Sequence, residues 1–235
     1  MLEFRGPSVG KNRCVIEPVL LLHGYDSKPS ALGDVADRLG SRAELVAGFE
    51  DLPLETFAWW LDELSVEARQ DLTEYLDEIA LEASRALETS KVTGLAGMLA
   101  SKAAASLPAA TPDAGLSPGG SISVVGFSQG AAAAYSWLLD SSRQTSVKVV
   151  IAVAGFLPEL AEHQLRERTV SSTDQNSVHI HAVHLSDDEV VDAMVSERAS
   201  RQLAKAGYTV TNHHVEGSHA WSPALTELVS QLLTL

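Results

Sequence analysis

Short runs of apolar residues alternate along most of the chain with stretches in which apolar residues recur every three or four positions. Continuous apolar runs predict strands that are buried on both faces, whereas the spacing of three and four predicts helices with one buried face. Their alternation is typical of strand–helix repeats around a mainly parallel sheet. The predicted strands are Val19–His23, Glu44–Gly48, Ser121–Phe127, Val147–Val153, Val178–Leu185 and Thr209–Val215.

Two stretches predict helices most clearly. One follows Ser65, where the buried face is formed by apolar residues at helical spacing, and the other is the Ala-rich segment Ala131–Leu139. The pattern therefore predicts an α/β fold in which a mainly parallel sheet carries helices on both faces. The apolar residues after Ser65 are Leu72, Leu76, Ile79, Ala83 and Leu87.

The strand–helix pattern shows no internal repeat, and we expect residues 1–235 to form a single domain. One segment, at about 91–120, departs from the pattern because it is rich in Ala, Ser, Gly and Pro. Its end, Leu107 to Gly120, predicts a loop. The segment is interpreted either as a lid over the substrate or as an insertion without that role.

The charge of the chain excludes some partners. Lys and Arg number 17 against 31 Asp and Glu, which gives a formal net charge of −14. Nucleic-acid binding requires a basic surface that neutralises phosphates, and adhesion to anionic lipid requires a basic patch. We therefore expect no nucleic-acid partner and no stable membrane insertion.

The single cysteine, Cys14, precludes an intramolecular disulfide and fits a reducing compartment. The first apolar run, Val19–Leu22, is too short for a signal peptide or a membrane span. These features predict a cytoplasmic protein.

The strongest chemical signal is Gly126-Phe127-Ser128-Gln129-Gly130. It lies between a predicted strand and a predicted helix, as a nucleophile elbow requires. Such a turn lifts the serine out of the sheet in a strained conformation, and the flanking glycines allow strand and helix to approach closely. The motif predicts Ser128 as a nucleophile.

A serine that attacks a carbonyl needs two backbone N–H groups directed at the developing oxyanion. One normally belongs to the residue after the nucleophile, here Gln129, and the other to a loop after an early strand. The sequence Leu22-His23-Gly24-Tyr25 ends such a strand, so Tyr25 is the second predicted donor. His23 precedes the serine and is interpreted as a residue that orders this loop.

The order of such sites along the chain is serine, then acid, then histidine. His213, His214 and His219 are the candidates for the base, and His219 is favoured because it follows a predicted strand instead of lying within it. Asp188 is the predicted acid, with Asp187 as the open alternative, because both follow the strand that ends at Leu185.

His179 and His181 lie two residues apart on one predicted strand, a spacing that can bind zinc. No third ligand at a convincing spacing accompanies them. A structural role is therefore the preferred interpretation, and no catalytic metal or cofactor is expected.

With these motifs assembled, the chain resembles the phospholipase/carboxylesterase family of α/β-hydrolases, which includes acyl-protein thioesterases and small carboxylesterases. The resemblance implies the α/β-hydrolase fold, Ser128, Asp188 and His219 as the triad, and Tyr25 and Gln129 as oxyanion donors. The segments that carry it are Leu22-His23-Gly24, Ala58-Trp59-Trp60, Gly126-Phe127-Ser128-Gln129-Gly130, Gly155-Phe156-Leu157-Pro158, Asp188-Glu189-Val190-Val191 and Gly217-Ser218-His219.

Large apolar side chains near these motifs suggest an apolar acyl site. They are Trp59, Trp60, Phe156, Leu157 and Trp221. Trp59 and Trp60 could equally belong to the core, and Trp221, two residues after His219, is the better candidate for the pocket.

The expected function is hydrolysis of carboxylic esters with short to medium acyl chains through an acyl-enzyme. A thioesterase, lysophospholipase or lactone hydrolase with the same triad is the alternative, and a non-catalytic ligand-binding module on this fold is the alternative from another class. The expected partner is a small-molecule ester or thioester, and a homodimer is left open.

Overall fold

The computed structural model describes residues 17–52, 56–60, 63–100, 121–143, 145–167 and 178–234. Six parallel strands form the main sheet, in the order β2-β1-β5-β6-β7-β8, and β3 pairs antiparallel with β4. The strands are β1 Val19–Leu22, β2 Ala43–Val46, β3 Glu50–Leu52, β4 Thr56–Ala58, β5 Ser121–Phe127, β6 Ser146–Val153, β7 His179–Leu185 and β8 Thr209–Val215.

Helices cover both faces of the sheet, as the alternation of apolar runs and amphipathic stretches predicts. Alternate strand residues point to opposite faces, so the sheet contributes to two apolar cores. Helices α2, α3, α4 and α5 contribute to one core, and α1 and α6 contribute to the other. The helices are α1 Gly33–Leu39, α2 Val66–Ala100, α3 Gln129–Leu139, α4 Glu159–Glu167, α5 Ala193–Lys205 and α6 Pro223–Leu232.

The six strands of the main sheet agree with the predicted ones to within two residues at each end, whereas β3 and β4 were not predicted. The largest shift concerns β2, which ends at Val46 although the pattern extended it to Gly48. The N–H of Gly48 donates to Nε2 of His23, 3.0 Å away, because the chain has already left the sheet to pack beside the loop after β1.

Helix α2 continues to Ala100 and so includes the first ten residues of the Ala-, Ser-, Gly- and Pro-rich segment. The strong helix propensity of alanine and leucine favours this continuation over the two glycines in the stretch. The rest of the segment, residues 101–120, lies outside the described residues. None of the described helices has both the length and the apolar character that crossing a membrane requires.

The contact between β5, α3 and β1 leaves no space for a side chain at two glycines. A Cβ built on Gly126 would lie 2.5 Å from Cα of Ala131, and one on Gly130 would lie 2.2 Å from the carbonyl oxygen of Leu22. Because backbone cannot move aside as a flexible side chain can, these two glycines set how closely α3 approaches the sheet.

Replacing Gly130 by alanine should therefore lower the free energy of unfolding by at least about 2 kcal/mol, since the methyl group would displace the β1 backbone. Gly33→Ala is the matched control, because Gly33 opens α1 with a φ of −56° and a Cβ there meets nothing within 4 Å. Denaturant unfolding monitored by circular dichroism compares the two. Equal effects of both substitutions would contradict the proposed role of the close approach.

Candidate active site

Ser128 lies in the abrupt turn between β5 and α3. Its φ of 54° and ψ of −117° place it in a region that L-residues other than glycine rarely occupy. The Ser128 N–H donates to the carbonyl oxygen of Val153 on β6, 2.9 Å away, and the Ser128 carbonyl accepts from the first turn of α3. Strand and helix together thus hold the strained turn that the elbow motif predicts.

His219 contacts Ser128 from the loop between β8 and α6. Its Nε2 lies 2.9 Å from Oγ of Ser128, and its Nδ1 lies 2.7 Å from Oδ2 of Asp188. The imidazole ring packs against Phe127, with the ring centroids 4.9 Å apart. A serine hydroxyl, an imidazole and a carboxylate therefore form one hydrogen-bonded chain across three loops that follow strands.

Asp188 is held more firmly than its neighbour Asp187. The side chain of Asp188 is fully buried, and its Oδ1 accepts from the N–H groups of Val190 and Val191 at 2.9 and 2.7 Å. Those two bonds fix Oδ2 towards His219. Asp187 is exposed, accepts from the Ser186 hydroxyl and uses its N–H to hold the loop that carries His219. The geometry thus favours Asp188 of the two candidates.

The loop after β1 lies directly beside the serine. A Cβ built on Gly24 would lie 3.5 Å from Cβ of Ser128 and 3.2 Å from the Phe127 ring, so this glycine allows the loop to approach. Tyr25 follows Gly24, and Gln129 opens α3, where the first N–H groups have no partner within the helix. The arrangement can thus present N–H groups beside Oγ of Ser128.

The side chain of Gln129 has a role that the sequence did not indicate. Its Oε1 accepts from the N–H of Trp59 at 3.0 Å, and its Nε2 donates to the carbonyl oxygen of Trp60 at 2.8 Å. The elbow is thereby bonded to the segment after β4. The adjacency of Gln129 to Ser128 was the only signal in the sequence, and it pointed to the backbone N–H alone.

His23 is buried beneath this region and orders the loop after β1, as its position before the serine suggested. Its Nδ1 donates to the carbonyl oxygen of Gly24, its Nε2 accepts from Gly48, and its own carbonyl accepts from the indole N–H of Trp59. Burial lowers the pKa of His23, which keeps the ring neutral and the tautomer fixed.

A cavity of about 470 Å³ is lined by residues between β4 and α2, by the loop after β6 and by α4. Trp60 and Phe156, two of the five predicted substrate-binding residues, line it together with Leu64, Pro158 and Leu160.

The other three predicted substrate-binding residues lie elsewhere. Trp59 and Leu157 are buried in the core and are not among the residues that line the cavity. Trp221 packs edge-on against Phe127 and donates its indole N–H to Thr226.

The remaining histidines lie on β7 and β8. His179 and His181 stack at 4.1 Å between ring centroids, and Nδ1 of His181 lies 3.1 Å from Nε2 of His213. His214 packs against His184 on the other face of the sheet. Within the described part of the chain, no group of three or more His, Cys, Asp or Glu side chains is arranged to hold a metal ion.

Comparisons with known proteins bear on these observations. A family model described as phospholipase/carboxylesterase matches residues 101–234, which is more than half of the chain. The match includes Ser128, Asp188 and His219. No curated protein matches the sequence.

Solved structures that resemble the chain share its fold. Esterase PE8 is 24% identical, with a TM-score of 0.56, and the alignment covers 93% of this chain and 91% of that one. The Bacillus cereus carboxylesterase is 18% identical, with a TM-score of 0.60 and coverages of 93% and 87%. Arabidopsis thaliana SOBER1 is 17% identical, with a TM-score of 0.62 and coverages of 93% and 97%.

The histidine group on β7 and β8 should make stability depend on pH. Burial, then the nearby His179 and His213, lower the pKa of His181 from 6.5 to about 4. Between pH 4 and pH 6.5, His181 therefore binds a proton in the unfolded chain but not in the folded chain. The free energy of unfolding consequently falls as the pH drops from 6.5 towards 4. His181→Gln should flatten the pH dependence of the free energy of unfolding over this window, measured by urea titrations. Thr209→Gln, at an exposed position of β8 without an ionisable group, is the control and should retain the wild-type slope.

Proposed function

Since the chain belongs to the phospholipase/carboxylesterase family of α/β-hydrolases and is a hydrolase, we propose that it cleaves carboxylic esters of short to medium acyl chains through an acyl-enzyme on Ser128. The observation that carries the proposal is the hydrogen-bonded chain from Ser128 through His219 to the buried carboxylate of Asp188. A structural role would not require a strained serine at the end of that chain.

In the proposed reaction, Nε2 of His219 takes the proton from Oγ of Ser128 as the oxygen attacks the carbonyl carbon. Asp188 holds the imidazole in the tautomer that leaves Nε2 free to accept, and it stabilises the imidazolium that forms. His219 then gives this proton to the departing alcohol oxygen. A water molecule activated by the same nitrogen releases the acid and restores the Ser128 hydroxyl.

The backbone N–H groups of Tyr25 and Gln129 are the proposed donors to the tetrahedral oxyanion. Support comes from the contact between Gly24 and Ser128 and from the position of Gln129 at the start of α3. Donors fixed before the reaction lower the barrier because no reorganisation is needed as charge develops.

The position of His219 also assigns the two halves of the substrate. The leaving oxygen must lie within reach of Nε2, on the side where Phe127 and Trp221 pack. The acyl chain then extends the other way, into the cavity lined by Trp60 and Phe156. Trp59 and Leu157 support that wall from the core, and Trp221 borders the leaving-group side.

We further propose that residues 1–235 form one domain. The main sheet and the two cores on its faces support this proposal. The single cysteine supports a cytoplasmic location. The partner is a small-molecule ester or thioester.

Ser128→Ala should abolish hydrolysis of p-nitrophenyl esters, with a loss of at least about a thousandfold in kcat, because no other group can form the acyl-enzyme. A series from acetate to palmitate locates the preferred chain length. Ser30→Ala, at an exposed serine after β1, is the control and should retain full activity. A fluorophosphonate probe should label wild type and Ser30→Ala but not Ser128→Ala.

Two other outcomes of these assays would change the assigned function. Turnover of thioesters or lactones alone, with Ser128 required, would retain the mechanism and change the leaving group. Absence of Ser128-dependent turnover of any of these substrates by folded protein would contradict the proposed activity in favour of a ligand-binding module.

The two neighbouring aspartates provide a second test. Asp188→Asn should lower kcat by about 10³- to 10⁴-fold, because an amide can stabilise the wrong imidazole tautomer and cannot balance imidazolium charge. Asp187→Asn, its matched control, should retain kcat to within about threefold because its carboxylate is exposed. Steady-state kinetics on one p-nitrophenyl ester are sufficient. The reverse ranking would assign the acid to Asp187.

A further inference from the structure

The cavity lined by Trp60 and Phe156 combines aromatic side chains with carboxylates. Glu63 and Glu159, both of which are exposed, line it together with His163. A volume of about 470 Å³ is within the range of sites that take small molecules. No Lys or Arg side chain is among the described residues that line it.

The cavity is attached to the elbow on two sides. On one side, Gln129, the neighbour of Ser128, is bonded to the backbone of Trp60. On the other side, Val153 accepts the Ser128 N–H three residues before Phe156. His219 packs on Phe127, which packs against the core that includes α1 and α6, whereas Phe156 packs against both cores. The cavity is thus placed for the acyl half of a substrate whose leaving group lies at His219.

Two arginines on α4 and α5 form ion pairs outside the cavity lining. Arg166 on α4 and Arg198 on α5 both form ion pairs with Glu162, whose carboxylate is largely buried. Glu159 opens α4, where the helix dipole favours a carboxylate in any case. Glu63 lies before α2, outside the helices, yet it shares the same cavity.

We propose that this cavity selects acyl groups that end in a cation, such as a quaternary ammonium. The π faces of Trp60 and Phe156 attract a cation at close range, and the carboxylates of Glu63 and Glu159 supply opposite charge at the rim. A simple aliphatic chain would use the apolar wall alone. The proposal rests on the proposed esterase function and adds the substrate class.

The test uses two esters of equal shape. One is p-nitrophenyl 5-(trimethylammonio)pentanoate, and the other is its neutral carbon analogue, p-nitrophenyl 6,6-dimethylheptanoate. The measured quantity is the ratio of kcat/KM for the cationic ester to that for the neutral ester. Intrinsic reactivity and leaving group cancel when this ratio is compared between protein variants. The assays are run at pH 8, above the range in which histidine ordinarily carries charge, because a histidine lines the cavity beside the two glutamates.

The double substitution Glu63→Gln with Glu159→Gln should lower this ratio at least fivefold. Its control is Glu78→Gln with Glu82→Gln, which removes the same charge from exposed positions on α2 and should leave the ratio within twofold of wild type. Equal effects of both pairs would attribute any preference to the overall charge of −14 and would overturn the proposal.

A binding measurement separates this proposal from the esterase function. The methyl esters of the same two acids are titrated into Ser128→Ala protein by calorimetry, with and without the Glu63 and Glu159 substitutions. Tighter binding of the cationic ester that those substitutions reduce supports the proposal even if neither p-nitrophenyl ester is hydrolysed. Ser128-dependent hydrolysis with an unchanged ratio and no such binding difference overturns the cation selectivity and leaves the esterase function standing.

Discussion

The close approach of α3 to the parallel sheet is the constraint on which the rest of the site depends. A helix that begins one residue after β5 can do so only if the backbone turns through a left-handed conformation at Ser128 and if Gly126 and Gly130 carry no side chains. That turn costs free energy, which two packed cores and the bond from Ser128 to Val153 offset. The result is a hydroxyl held in the turn after β5, within hydrogen-bond distance of His219.

The other members of the site depend on the same sheet. Because β7 and β8 run parallel to β5, their carboxyl ends deliver Asp188 and His219 to one edge. The loops that carry them are bonded to each other, since the Asp187 N–H donates to Gly217. Acid and base are therefore positioned as one unit, and a neighbouring aspartate that makes no contact with His219 still supports the geometry through its backbone.

Much of this could be predicted from the sequence, because apolar runs mark buried strands and a glycine-flanked serine between strand and helix is typical of a nucleophile elbow. Contacts that depend on the path of a loop could not be predicted from the sequence. The bonds from the Gln129 side chain to the backbone of Trp59 and Trp60 join residues about 70 positions apart, and no local pattern encodes them. For the same reason the sequence favoured Trp221 as a pocket residue, whereas of the five candidates only Trp60 and Phe156 line the cavity.

The two hydrogen bonds of the Gln129 side chain bear on how the substrate specificity of this protein can be changed. The side chain joins the turn that carries Ser128 to the tryptophan segment, so two hydrogen bonds connect that turn to one wall of the cavity. Substitutions in the tryptophan segment would therefore change both the rate of hydrolysis and the acyl selectivity. The opposite wall is supplied by α4, through residues such as Leu160, and belongs to a separate element. Directed evolution of new acyl preferences should therefore find its tolerant positions on α4.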